Sequence, residues 1–196
     1  MFGSEEGRLL DRAKRGDMYA FELLVKMHQQ RVYSHCYRLL GNAAEAEDLC
    51  AETFLRAFQN LGSLRADPSI VYWLLRVANN LSISVLRKRS TRPAVELDEI
   101  HELPADTATP EEEMIAESRR EVMRKCLDKL SPKERTAVLM FYLEERPLDE
   151  IAHVLGCGLA GAKSRVHRAR HRLKELMLAE FGEDLPLPIG EEGGAI

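Results

Sequence analysis

A stretch near the C-terminus, from Lys163 to Lys174, has the residue types that bind nucleic acid. It contains six Lys or Arg side chains and no acid, although the formal net charge of the whole chain is -4. Such cations neutralise phosphates, and Arg can also make a bidentate contact to guanine. The stretch therefore predicts a DNA-binding helix, and the alternative is a solvated basic helix without a ligand.

Helical periodicity separates this stretch into an apolar and a polar side. The apolar side, which we expect to be buried, consists of Ala162, Val166, Ala169, Leu173 and Leu176. The candidate base readers on the other side are Ser164, His167, Arg168 and His171, and the candidate phosphate contacts are Lys163, Arg165 and Arg172. The segment LDEIAHVLG and the turn Gly156-Cys157-Gly158 come just before. This order indicates a helix-turn-helix, whose second helix enters a major groove.

A second candidate surface lies on a predicted helix over residues 69–89. Its core stripe is expected to be Leu74, Val77, Ala78, Leu81 and Val85, and the far side carries Trp73, Arg76, Asn80 and Arg87, with Ile83 beside them. An aromatic ring among cations and an amide is suited to unstacked bases. The alternative is that Trp73 packs on a neighbouring helix of its own domain.

A third candidate surface lies on a predicted helix over residues 43–60. The side expected to be buried consists of Ala46, Cys50, Thr53, Phe54, Ala57 and Phe58, and the outer side shows Glu45, Asp48, Glu52 and Gln59 around Leu55. An apolar contact surrounded by charges is typical of a protein-docking face that selects a basic partner. The alternative is a solvated helix with one surface leucine.

The elements that position these surfaces are helices, because strand signals are nearly absent. Further helices are predicted over 17–40, 111–130, from the Ser131–Glu134 capping box to Leu143, and over 159–180. Residues 90–110 contain three prolines and no helical stripe. The sequence therefore predicts an all-α protein of two small domains, residues 1–89 and 113–181, with an acidic linker at 90–112 and a mobile tail at 182–196.

Several classes of function are excluded by what the chain lacks. No run of about 18 apolar residues or secretory signal is present, so we expect a cytoplasmic protein without membrane insertion. No phosphate loop, nucleophile elbow or HExxH motif occurs, so we expect neither an enzyme nor a cofactor. The four cysteines form no CxxC pair, and the His153/Cys157 pair alone does not predict a metal.

Three stretches in this order resemble the extracytoplasmic-function (ECF) sigma factors of bacterial RNA polymerase, from about Leu9 to Leu178. AFELLVKMHQQRVYSHCYRLLGNAAEAEDLCAETFLRAFQNL is similar to the opening of region two, with its A-x-D-x-x-x-E-x-F core. DPSIVYWLLRVANNLSISVLRKR is similar to the stretch that melts and reads the minus-ten element. LSPKERTAVLMFYLEERPLDEIAHVLG followed by KSRVHRARHRL is similar to region four, which reads the minus-thirty-five element.

The resemblance implies a specificity subunit that brings core RNA polymerase to promoters and helps to open them. It implies that polymerase docks, through its clamp helices, on Asp48, Glu52, Phe54 and Leu55, and that the flap is a further contact of the sigma factor. It places Trp73, Arg76, Asn80 and Arg87 at the single-stranded minus-ten element. It places the candidate contacts from Lys163 to Arg172 at duplex minus-thirty-five DNA. It also implies an anti-sigma partner and a linker that runs toward the RNA exit path.

The chain departs from the family pattern at Ala160-Gly161-Ala162, where Gly-Thr-Val is common, and at Gly158, where Pro is frequent. Asp67-Pro68-Ser69-Ile70 replaces a segment that usually carries an aromatic residue. These departures predict an atypical promoter preference. Two other hypotheses remain open at this point. One is a free-standing helix-turn-helix regulator, and the other is a helical adaptor or redox sensor that uses Cys126, Cys157 and His153.

Overall fold

The computed structural model describes residues 5–65, 70–90 and 121–181, and these residues form helices and no strand. The expected all-α fold is confirmed. The predicted linker after Ser90 lies outside the described residues, and so does the whole of the predicted tail. The elements are α1 (Glu5–Lys14), α2 (Met18–Leu40), α3 (Ala43–Gln59), a 3₁₀ turn (Leu61–Ser63), α4 (Ile70–Ser90), α5 (described over 121–128), α6 (Pro132–Val138) with a π-helical turn (Leu139–Leu143), α7 (Leu148–Leu155) and α8 (Leu159–Phe181).

The described residues fall into two compact units. The first takes the described residues up to Ser90 together with Ala152–Gly158, and the second takes those from 121 to Ile151 and from Leu159 onward. The division runs through α7, so a single domain over residues 113–181 stays a prediction. None of the described helices is long and apolar enough to cross a membrane.

Local capping explains where the helices of the first unit begin and end. Asp17 caps α2, because its carboxylate accepts a hydrogen bond from the Ala20 amide at 3.1 Å. Gly41 ends α2 in the left-handed region at φ 66°, and its N–H donates to the Tyr37 carbonyl. Asn42 then caps α3 by accepting from the Glu45 amide at 2.8 Å. The abrupt stop at Gly41 allows α3 to fold back against α2.

Helix α2 is the centre of the first unit and packs against α1, α3 and α4. Its core includes Leu10 from α1, Leu24 and Cys36 from α2, Phe54 from α3 and Leu74 from α4. Helix α1 was not predicted from the sequence. It buries Leu9 and Leu10, and Ala13 one turn later, among charged residues.

The end of α4 is fixed to the other helices by one arginine. Arg89 donates to the Leu40 carbonyl at 2.8 Å, and it also pairs with the Glu45 carboxylate. The Arg89 side chain therefore joins the last turn of α4 to the end of α2 and the start of α3. This contact holds the minus-ten candidate surface of α4 in a fixed position relative to the docking candidate surface of α3.

The attachment of α1 to α2 predicts a pH-dependent stability. Nε2 of His28 lies 3.0 Å from Oε1 of Glu6, and the His28 side chain is 12% exposed. Burial lowers the pKa of His28 from its ordinary 6.5, although the Glu6 carboxylate opposes that shift. The unfolded state therefore binds a proton at His28 more tightly than the folded state does. Neutral His28 contributes its full stability above about pH 6.5, and that stability is lost as pH falls through the folded-state pKa.

We expect the His28→Gln variant to lose less unfolding free energy than the unchanged protein when pH is lowered from 7.5 to 5.5. Urea denaturation of the full chain at both pH values measures this difference. The Met27→Gln variant places the same side chain at a neighbouring exposed position of α2, so it is the control and should behave as the unchanged protein. An identical loss in the His28→Gln variant would contradict the assignment.

The second unit is built on α6 and α8, which pack against each other. Its core contains Cys126, Leu130, Val138, Ala169, Leu173 and Met177. The predicted capping box is present, because the Ser131 amide and hydroxyl both donate to the Glu134 carboxylate, at 3.1 and 2.5 Å. An ion pair of 2.5 Å between Lys129 and Glu180 joins the α5–α6 turn to the last turn of α8.

The turn after the π-helical segment is conformationally costly. Glu145 has φ 51°, and it is the one non-glycine residue with positive φ among the described residues. The left-handed region costs an ordinary side chain about 1–2 kcal/mol, while glycine adds about 0.5–1 kcal/mol of unfolded-state entropy. We therefore expect Glu145→Gly to stabilise the protein by about 0.5–1 kcal/mol. Thermal and urea denaturation check this, and Glu145→Ala, which keeps the strain, should give no such gain.

Candidate nucleic-acid and protein-docking surfaces

Helix α8 presents a polar surface, the basic face, formed by Lys163, Ser164, Arg165, His167, Arg168, His171 and Arg172. All of these side chains are exposed except Arg165, which is half-buried. The predicted opposite side is buried at Ala162, Val166, Ala169 and Leu173, and Leu176 is partly buried. Met177, which the sequence analysis missed, is also buried at 3% exposure. The packing of α8 therefore turns the candidate readers outward.

Among the described residues, the basic face forms one ion pair, with Glu175 outside it, and one ring contact within it. Arg172 lies 3.3 Å from the Glu175 carboxylate, in a pair that is largely exposed and so contributes little stability. The rings of His167 and His171 have centroids 4.6 Å apart. Nη1 of Arg165 is buried and has no hydrogen-bond partner among the described residues. No described residue forms an ion pair with Arg168, so its guanidinium can bind a phosphate or a base.

On α4, the structure supports part of the predicted surface and corrects another part. Arg76, Asn80 and Arg87 are exposed, as expected. Trp73 is only partly exposed, because its ring packs against the core of the first unit. The prediction that Ile83 lies on the open side is wrong, since Ile83 is 5% exposed. A single-stranded nucleic acid could therefore contact the exposed part of the Trp73 ring and the three polar side chains.

On α3, we define the docking face as Asp48, Glu52, Leu55 and Phe58. Leu55 is 52% exposed and Asp48 is exposed, whereas Glu52 is half-buried and accepts from Arg56 at 2.7 Å. One expectation is corrected, since Phe58, predicted to be buried, is 43% exposed. Phe54 is buried at 9% exposure, as its place on the predicted buried side requires, and its role in docking stays a prediction.

The docking face contains two exposed apolar side chains, Leu55 and Phe58. Phe58 follows Leu55 by three residues, so the two side chains are neighbours on one side of α3. The Phe58 ring also lies 5.4 Å from the Phe21 ring of α2. Two large apolar side chains next to carboxylates can bind a partner surface that combines an apolar contact with cations.

Three of the four cysteines, Cys36, Cys50 and Cys126, are poor candidates for a reactive centre. Burial raises the pKa of Cys36 to about 12 and also raises the pKa of Cys50 and Cys126. Raised thiol pKa values leave little thiolate at neutral pH, and the thiolate is the form that reacts. Among the described residues, no group of three or more His, Cys, Asp or Glu side chains could hold a metal ion.

Comparison with known proteins decides the family. The family model of sigma-70 region 2 matches residues 24–92, and that of sigma-70 region 4 matches residues 120–173. The ECF RNA polymerase sigma factor SigW of Bacillus subtilis (strain 168) is 32% identical over 176 residues, which cover 85% of this chain and 93% of SigW. This chain is an ECF sigma factor. It is therefore a transcription initiation factor and not an enzyme, and it binds core RNA polymerase and promoter DNA.

Solved structures share the fold of this ECF sigma factor. CnrH in complex with the cytosolic domain of CnrY has a TM-score of 0.64 and 22% identity, over 90% of this chain and 99% of CnrH. The sigma factor RpoE of Bartonella quintana, in complex with the anti-sigma factor NepR, has a TM-score of 0.58 and 24% identity, over 80% of this chain and 96% of RpoE.

Family membership decides between the hypotheses that the sequence left open. A free-standing regulator would not need polymerase, whereas a sigma factor acts with it. The redox-sensor hypothesis loses support because of the raised thiol pKa of Cys126. The assignment of individual residues to polymerase, minus-ten and minus-thirty-five contacts stays a prediction.

Proposed function

We propose that this sigma factor divides promoter recognition among three surfaces. The docking face of α3 binds the clamp helices of core RNA polymerase, the exposed side of α4 captures the minus-ten strand, and the basic face of α8 reads the minus-thirty-five element. The flap of the polymerase contacts the second unit. The protein acts in the cytoplasm. One observation carries the proposal: α8 is buried on one side, and Arg168 and the other candidate base readers are exposed on the opposite side.

The charges of these surfaces support the division of labour. The docking face carries the carboxylates of Asp48 and Glu52 and therefore repels DNA, whereas the basic face attracts it. With a formal net charge of -4, the free protein should bind promoter DNA weakly. Polymerase binding supplies further DNA contacts, so the complex and not the free sigma factor recognises the promoter.

At the minus-ten element, we propose that Trp73, Arg76, Asn80 and Arg87 hold the separated strand. Stacking of a base on an aromatic side chain contributes about 1–3 kcal/mol, and the arginines neutralise phosphates. Only part of the Trp73 ring is accessible. One base can stack on the part of the ring that is exposed.

We expect Trp73→Ala and Asn80→Ala to slow open-complex formation, as read by permanganate footprinting of unpaired thymines. Trp73→Ala should have the larger effect, about 10-fold or more, since it removes a stacking partner. Because Trp73 also packs on the core, Asn80→Ala is the cleaner test: Asn80 is exposed. Ser84→Ala, at another exposed position one turn further along α4, is the matched control. Normal melting by both variants would refute the role of this surface.

We further propose that an anti-sigma factor covers the docking face when transcription is not required. The solved relatives CnrH and RpoE are each in complex with a partner, CnrY and the anti-sigma factor NepR. In this chain, Leu55 and Phe58 form the exposed apolar surface that such a partner would bury. Anti-sigma factor and clamp helices would then compete for one site.

Runoff transcription with purified core polymerase, with and without this protein, over a genomic promoter library tests the proposal. We expect new start sites that depend on the protein and that share two upstream elements. Absence of any protein-dependent transcript would contradict the proposed function. Transcripts that depend on the protein but share only the minus-ten element would contradict the role of the basic face.

A further inference from the structure

The basic face contains an arrangement that DNA reading does not require. His167 and His171 lie one helical turn apart, both are exposed, and their ring centroids are 4.6 Å apart with planes inclined by 52°. Two His residues four apart on one helix face are a spacing that binds zinc in the HExxH motif. Zinc–nitrogen bonds are about 2.0–2.1 Å long, so two rings this close can each offer a nitrogen to one ion.

The surroundings determine how tightly such an ion would bind. The two rings line a groove of about 500 Å³ together with the carboxylates of Glu134 and Glu175 and the cations of Lys129, Arg168 and Arg172. Glu134 already accepts from Ser131, and Glu175 pairs with Arg172. Since the described residues supply no third ligand, water would complete the coordination shell. The nearby cations further oppose a positive ion, so binding should be weaker than at a structural zinc site.

We propose that His167 and His171 bind a divalent transition cation of the zinc class, and that the bound ion blocks the reading of DNA by α8. Imidazole nitrogens suit Zn²⁺, whereas Mg²⁺ and Ca²⁺ require oxygen ligands. An ion held between the two rings removes both side chains from the bases and occupies the space in front of the helix. The second part of the inference rests on the proposed function of the basic face, and the first part does not.

The first experiment measures metal binding without DNA. Isothermal titration of the full chain with Zn²⁺ should show one binding event that His167→Gln and His171→Gln each weaken at least 10-fold. His153→Gln, which removes an exposed His with Cys157 four residues later, is the matched control and should leave that event unchanged. Mg²⁺ should produce no such event. Loss of the binding event in His153→Gln alone, or its retention in both His167→Gln and His171→Gln, would overturn the inference.

The second experiment measures competition on the complex of the full chain with core polymerase. Zn²⁺ should lower the affinity for duplex minus-thirty-five DNA in the unchanged protein, and His171→Gln should remove that sensitivity. Because binding must be reciprocal, DNA should weaken Zn²⁺ binding by the same factor. Zinc binding without any effect on DNA affinity would overturn the competition. Failure of the zinc-free complex to use the minus-thirty-five element would instead contradict the proposed function and leave the metal result standing.

Discussion

The Leu55→Asp variant should fail to bind core RNA polymerase in a pull-down assay. Leu55 is 52% exposed, and Phe58 extends the same apolar surface. An aspartate at this position removes the apolar contact and places an uncompensated charge in the interface. Truncation of an interface hot spot costs about 2 kcal/mol or more, which is about 30-fold in affinity, and we expect Leu55 to be such a hot spot. Burial of an unpaired charge adds to that loss.

The same change should leave the fold intact, since the side chain points to solvent. Circular dichroism and urea denaturation of the variant should match the unchanged protein. Met27→Asp is the matched control, because Met27 is 48% exposed on α2 of the same unit and the substitution adds the same charge. Retained polymerase binding by Leu55→Asp, or equal loss with Met27→Asp, would contradict a specific docking face.

The burial of Phe54 and the exposure of Phe58 sharpen this prediction. Phe58→Ala should weaken polymerase binding while the unit stays folded, because Phe58 is 43% exposed. Phe54→Ala should instead destabilise the unit by about 3–5 kcal/mol, since it leaves a cavity in the core. Only a docking role for Phe58 and a packing role for Phe54 produce this opposite pattern of binding and stability.

The helix boundaries could be predicted because short-range interactions fix them. Gly41 is the residue type that ends a helix in the left-handed region, and Ser131 with Glu134 forms a capping box. These signals act over three or four residues and can be identified without the rest of the fold. Helix α1 was missed because its apolar residues are few and charged residues surround them. Its burial depends on α2, which lies beyond the range of a local signal.

The exposure of individual side chains could not be predicted as well, because it depends on neighbouring helices. A helical wheel assumes one buried stripe, but α4 packs against both α2 and α3. Two partners widen the buried arc, so Trp73 packs partly on the core. Phe58 shows the opposite effect. It lies at the end of α3, and its ring packs beside the ring of Phe21 in the first turn of α2. Because α2 begins there, no further turn of α2 covers this end of the core-facing side of α3.

The Arg168→Ala variant should lose selectivity for the minus-thirty-five element while it retains polymerase binding. Arg168 is exposed, no described residue pairs with it, and it lies on the basic face of α8, the helix that we propose enters the major groove. A bidentate contact to guanine contributes about 1–3 kcal/mol of discrimination, which is about 5- to 150-fold. The polymerase–sigma complex should therefore bind the intact element more weakly and distinguish it less well from an element with one substituted base pair.

Arg172→Ala separates base reading from phosphate binding on the same helix. Arg172 is exposed but pairs with Glu175, and we expect it to contact phosphate only. Its loss should weaken the binding of all promoters equally, and it should reduce the steepness of log affinity against log salt concentration by about 1. Arg168→Ala should in addition change the sequence preference. Fluorescence anisotropy with intact and substituted elements at several salt concentrations measures both quantities.

If both variants weaken all sequences equally, Arg168 is a phosphate contact and the reading of bases must come from Ser164 and His167. Loss of polymerase binding in the Arg168→Ala variant would contradict the separation of docking and reading between α3 and α8.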